Sequence, residues 1–125
     1  FHEMNKNSIK VSKNISAAEI ITNKFKELIH QNIKTQHLVH YYASLLNVTP
    51  NHLNKSVKTV TGKSAAKWID ETILLEAKYL LFQTTLSVSE IAIQVGHEDQ
   101  SYFSRFFKKH EGITPIQYRK MIDKS

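Results

Sequence analysis

At 125 residues, 41% of them hydrophobic, the chain suits one domain or two small lobes sharing a connector, and it can bury a core, which excludes wholesale disorder. It has no cysteine, so disulfides, thiolate zinc sites and cysteine nucleophiles are excluded, and no apolar run approaches the ~20 residues of a membrane span. A formal net charge of +6 favours anionic partners, either nucleic acid or a membrane surface.

Residues 1–14 are polar and aperiodic and read as a linker or tail; the domain is expected over 15–125. The first residue is Phe1 and the opening segment lacks a signal-peptide apolar region, so the expectation is a piece of a longer or processed protein. With 3 Gly and 2 Pro, the composition fits helices joined by short turns. Ser16 and Glu19 have capping-box spacing, and Ile20, Ile21, Phe25, Leu28 and Ile29 follow at helical intervals, predicting a helix over 17–31. A helix-turn-helix is expected over about 35–63. Leu38, Val39, Tyr42, Ala43 and Leu46 share one face, Asn47 and Val48 form the turn, and Thr49-Pro50 starts the second helix. Leu53, Val57 and Val60 are expected to point inward, and Gly62 to end the helix. A stiff linker helix follows over about 64–84, with Ile69, Ile73, Ala77, Leu80 and Leu81 as its apolar stripe. Ser87 and Glu90 form a second capping box, opening a second helix-turn-helix over about 87–112, with Gly96 in its turn. Thr114-Pro115 starts a last helix over about 115–123, which carries Ile116, Tyr118 and Ile122.

The two units repeat each other. Ala43 corresponds to Ala92 at an offset of 49 (92 − 43), while Leu53, Val57 and Gly62 correspond to Phe103, Phe107 and Gly112 at an offset of 50 (103 − 53). The second unit therefore has one extra residue in its turn. In each, a small alanine permits close crossing of the second helix, and a basic residue, Lys55 or Arg105, stands two positions after the inward Leu53 or Phe103. This is the physical pattern of a helix-turn-helix.

The second unit, SVSEIAIQVGHEDQSYFSRFFKKHEGITPIQYRK, resembles the signature of AraC/XylS-type transcription regulators, and YYASLLNVTPNHLNKSVKTVTGKS is similar to that family's first helix-turn-helix. The resemblance runs from about Ala17 to Met121. It implies an all-α fold of about seven helices, with two helix-turn-helix lobes on a long linker helix. It further implies a cytoplasmic bacterial regulator, of the kind that includes activators, reading double-stranded DNA with two helices in adjacent major-groove segments. Such proteins usually carry a separate N-terminal sensing or dimerisation domain, and RNA polymerase subunits are a further partner considered. Three departures stand out. His97 replaces the family's usual Phe after the turn glycine, which weakens an apolar plug or introduces a polar group that needs a partner. Val57 stands where Phe is frequent, and the first half of the linker helix has no Arg, with Asp70, Glu71, Thr72 and Ile73 there instead.

The expected base-reading residues are Asn51, Asn54 and Lys55 in the first lobe and Gln100, Ser101 and Arg105 in the second. Asn can pair with adenine through both amide atoms, and Arg with guanine through two N–H groups. Lys58, Lys63, Lys108 and Lys109 are expected at phosphates, where they add affinity without sequence information. Trp68, Phe103, Phe106 and Phe107 are assigned to the core. His37 and His40 lie three apart, but no HExxH or carboxylate pattern accompanies them, so no metal and no cofactor are expected. No nucleophile–base arrangement or phosphate-binding glycine loop is visible, so no catalytic residue is assigned. The alternatives weighed are a protein-binding module and the non-catalytic part of a regulatory enzyme; salt-dependent duplex binding separates both from a DNA reader.

Overall fold

In a computed structural model, residues 16–123 are described; the expected tail over 1–14 lies outside them. They form seven helices and, among the described residues, no strand. These are α1 (Ala17–Asn32), α2 (Val39–Leu45), α3 (Pro50–Thr61), α4 (Ala65–Gln83), α5 (Val88–Gln94), α6 (Gln100–Glu111) and α7 (Pro115–Asp123).

Local chemistry sets the starts of these helices. Ser16–Glu19 and Ser87–Glu90 are complete capping boxes at α1 and α5, each serine oxygen accepting the glutamate backbone N–H at 3.1 Å. The Ser87 backbone N–H donated to Glu90 also holds the Glu90 carboxyl below the usual carboxylate range. Thr49, Ser64 and Asp99 cap α3, α4 and α6. The turns are equivalent as well. Asn47 and Gly96 are both left-handed, at φ 57° and 91°, and each lets the following N–H reach back to the buried alanine carbonyl. Val48 donates to Ala43 at 3.0 Å, and His97 to Ala92 at 2.8 Å. The extra residue of the second unit is thus Glu98, between the turn and the N-cap.

The core runs from one lobe into the other along α4. Phe25, Ile29, Tyr42, Ala43, Leu53 and Val57 fill the first lobe; Ile91, Ala92, Val95, Phe103 and Phe107 fill the second; Ala65, Ile69, Ile73, Ala77 and Leu81 of α4 lie between them. The buried edge of Tyr42 carries its hydroxyl to the Gln36 carbonyl at 2.7 Å. Desolvation, with a smaller contribution from Tyr41, pushes this phenol up to about 12. Val57 is fully enclosed.

Several apolar assignments shift. Val60 is 39% exposed rather than inward, because it lies in the last turn of α3, past the elements that cover Leu53 and Val57. Leu38 is the N-cap of α2 and is 71% exposed, so it does not share the buried face of Tyr42 and Ala43. Ile20 and Ile116 are exposed too. Trp68 and Phe106 are half-buried at the rim of the core, with the Lys26 ammonium 4.8 Å from the Trp68 ring centre.

The end of the linker helix is tied down by Arg119 of α7. Its Nε donates to Leu81 O at 3.1 Å, Nη1 to Leu86 O at 2.6 Å and Nη2 to Thr84 O at 3.2 Å. One guanidinium satisfies the Leu81 and Thr84 carbonyls, which a helix C-terminus otherwise leaves to water, and the Leu86 carbonyl of the following loop. Arg119→Ala is expected to destabilise the fold by about 2–3 kcal/mol, the size of a charged hydrogen-bond set left unmade. Lysine should recover only part, since a point charge cannot span three carbonyls. Urea unfolding checks this; a midpoint unchanged in Arg119→Ala would show the cap to be dispensable.

Candidate nucleic-acid interface

Helices α3 and α6 are the second helices of the two repeats, and each leaves one face in solvent. On α3 that face carries Asn51, His52, Lys55, Lys58 and Thr59; on α6 it carries Gln100, Ser101, Tyr102, Arg105, Lys108 and Lys109. Leu53 and Val57, and likewise Phe103 and Phe107, are fully buried on the opposite side, which fixes how each helix is rotated. α3 contains no acidic residue. The one acidic residue of α6, Glu111, is turned to Lys78 of α4 at 3.2 Å. Both outer faces are therefore positive or neutral apart from the Asp99 cap, whose carboxylate accepts the Ser101 N–H at 2.9 Å.

The expected site residues divide between these faces and other duties. Asn51, Lys55, Gln100, Ser101, Arg105, Lys58, Lys108 and Lys109 are all exposed on the two helices. Asn54 is half-buried, and its Oδ1 accepts the Ala66 backbone N–H at 3.2 Å, so it serves as a second cap of α4. Paired reading of adenine would need that oxygen, which leaves Nδ2 as its free donor. Lys63 lies beyond α3, and its ammonium meets Glu71 at 2.6 Å. That contact is exposed and weak enough for a phosphate to displace.

Sequence reasoning missed the surroundings of Arg105. It borders an open cleft of about 310 Å³ between α4 and α6, together with Asp70, Tyr102, Phe106, Lys109 and His110. Asp70 stands in the first half of the linker helix, in a stretch that has no Arg. Desolvation raises its carboxyl above the usual range, against the opposing pull of His110, Lys109 and His37. His110 Nε2 lies 3.9 Å from Asp70 Oδ2. No cluster of three or more potential metal ligands exists among the described residues, and no described helix is long and apolar enough to cross a membrane.

A family model described as a helix-turn-helix domain matches residues 42–121, which takes in most of the first unit, the helix between the units and the second unit. The chain belongs to this family, the AraC/XylS type. Part of the length of longer relatives is similar as well. The uncharacterized HTH-type transcriptional regulator YisR of Bacillus subtilis is 30% identical over 109 residues, 87% of this chain and 38% of YisR. The bifunctional transcriptional activator/DNA repair enzyme AdaA of Bacillus subtilis is 30% identical over 95 residues, 76% of this chain and 45% of AdaA. The chain thus spans less than half the length of these relatives. Among solved structures, the C-terminal domain of AraT, a response regulator from Geobacillus stearothermophilus, superposes with a TM-score of 0.78 at 33% identity, covering 85% of this chain and 88% of that one. The family's members are DNA-binding transcription regulators.

Proposed function

We propose that this domain binds double-stranded DNA sequence-specifically, with α3 and α6 in adjacent major-groove segments, and so regulates bacterial transcription. The observation that carries this reading is the duplication: two helix-turn-helix units on one continuous core, each presenting a polar face without free acidic groups on its second helix. The α4 rod of 19 residues is ~28 Å long, close to the ~34 Å of one DNA turn that must separate two such helices on one face. Asn51, Lys55, Gln100, Ser101 and Arg105 are the proposed base readers, with Asn54 contributing its amide donor. Lys58, Lys63, Lys108 and Lys109 are the proposed phosphate contacts. No reaction is assigned to these residues. The N-terminal sensing or dimerisation domain, contact with RNA polymerase subunits and a cytoplasmic location belong to this proposal for the whole protein.

Salt dependence tests the reading. Neutralised phosphates release counterions, so log Kd against log salt concentration should have a slope of magnitude about 4 or more, affinity falling as salt rises. A flat response would remove DNA as the partner. Two substitutions then separate reading from positioning. Arg105→Ala is expected to cost ~1–3 kcal/mol on a duplex selected from random DNA and to relax preference at one or two base pairs. Lys109→Ala should weaken selected and random duplexes alike. Uniform losses from both mutants would move Arg105 to the phosphates.

A further inference from the structure

The two lobes touch directly, at a pair of histidines 60 positions apart (97 − 37). His97, which follows the turn of the second unit, is 8% exposed, and its Nε2 has no hydrogen-bond partner among the described residues. Its ring lies 4.9 Å from that of His37, on the loop between α1 and α2 of the first lobe, centre to centre. On its other sides are Tyr102 at 5.2 Å, Phe106 at 5.3 Å and Phe103 at 5.9 Å, all from α6. His37 Nε2 is paired with the Ile33 carbonyl at 2.8 Å, so it is committed to its own lobe. Gly96 seats against the same loop, where an added Cβ would lie 2.5 Å from Lys34 O. A run of tilted ring contacts therefore leads from the first lobe, through His97, to Tyr102 on the exposed face of α6 beside Arg105.

We propose that His97 is a positioning residue for two-segment DNA binding: its uncharged ring clamps the second helix-turn-helix onto the His37 loop of the first, and uptake of a proton opens the clamp and uncouples the two units. The proposal rests on the DNA-binding reading above. A phenylalanine in this position would pack the same seam but could not be switched. The charged and titratable groups facing the ring are few. His37 approaches from the α1–α2 loop and Tyr102 from α6. Glu98 and Asp99 follow His97 in the chain and are exposed, with Asp99 engaged at Ser101 N. From α4, Asp70 senses His37, Lys109 and His110 rather than His97. No carboxylate pairs with His97 among the described residues, so a proton there would be buried beside a second imidazole. Desolvation, and secondarily His37, accordingly hold His97 below the ordinary imidazole range. Because the folded state disfavours the proton, the clamp is at full strength above about pH 6.5 and weakens as pH falls through the folded-state value. The opposing effect is attraction of an imidazolium to the faces of Tyr102, Phe103 and Phe106, which would hold the clamp shut.

Two measurements decide between these effects. In the intact protein without DNA, NMR titration of the His97 ring should show it uncharged at pH 6.5, with the Gly96–His37 contacts disappearing as the ring takes up its proton. Then Kd is measured at pH 8.0 and 5.5 on a duplex selected from random DNA, for wild type, His97→Phe and His97→Gln. The wild type should lose several-fold more affinity on acidification than either variant, and on a duplex holding only the second lobe's segment the three should change in parallel. Exposed histidines that strengthen DNA binding at low pH are present in all three and cancel. If one variant fails to fold, the other supplies the comparison. Parallel profiles on the two-segment duplex, a difference that persists on the single segment, or a protonated His97 with intact Gly96–His37 contacts would overturn the clamp. Failure of all three proteins to bind any duplex would overturn the DNA reading instead, leaving the clamp to be judged by the titration.

Discussion

Gly96→Ala is expected to unfold the domain far more readily than Gly112→Ala, although both glycines are left-handed, at φ 91° and 86°. An L-residue in that conformation costs ~1–2 kcal/mol wherever it occurs. At Gly112 nothing lies within 4 Å of an added Cβ, so that strain is the whole cost. At Gly96 the methyl would also stand 2.5 Å from Lys34 O and 2.6 Å from His37 Nε2. The His37 ring could swing away, but the Lys34 carbonyl is backbone and moves only with its loop. Overpacking of this kind adds ~1–3 kcal/mol, for a total near 3 kcal/mol or more. At the size of this domain that lowers the melting temperature by ~10 °C or more, against ~4–8 °C for Gly112→Ala. Thermal unfolding of the two variants side by side checks it; equal shifts would mean the lobes do not press together at Gly96.

What the sequence revealed and what it concealed follows from the range of the interactions. Ser16–Glu19, Ser87–Glu90 and Thr49-Pro50 act across three residues or fewer, so their spacing alone identifies the helix starts they make. The repeat exposed the rotation of both outer helices, because Leu53 and Phe103 must be buried for Lys55 and Arg105 to face out. Asn54 looked like another member of that outward row. Its oxygen is instead spent on Ala66, an acceptor–donor match visible only once α4 is folded back beside α3. Arg119 falls within the stretch that resembles the family signature, but its capping role carried no local signal, since the carbonyls it serves lie 33 to 38 residues earlier. His97 was conspicuous as a polar residue in an apolar position, but its partner His37 was singled out only for its spacing to His40. The missing information was the register of one lobe against the other, which no periodicity encodes.

The central claim is that both units grip one DNA face together, and inserting five base pairs between the two segments of a selected duplex tests it most directly. Half a turn of DNA, at 10–10.5 bp per turn, sends one segment to the opposite face. The α4 rod has no Gly or Pro within Ala65–Gln83, is capped by Ser64 at one end and Arg119 at the other, and is braced by the Gly96–His97 contact with the first lobe. It cannot wind around to follow. Binding by the second unit would then lose the high effective concentration that the first provides, and affinity should fall about 100-fold or more. A ten-base-pair insertion, which restores the face but stretches the spacing beyond the rod, should be equally poor. Footprinting of the original duplex should show two protected major-groove segments bound by one copy of the chain. Retention of full affinity on the five-base-pair expansion would contradict the account, leaving a single helix-turn-helix as the reader.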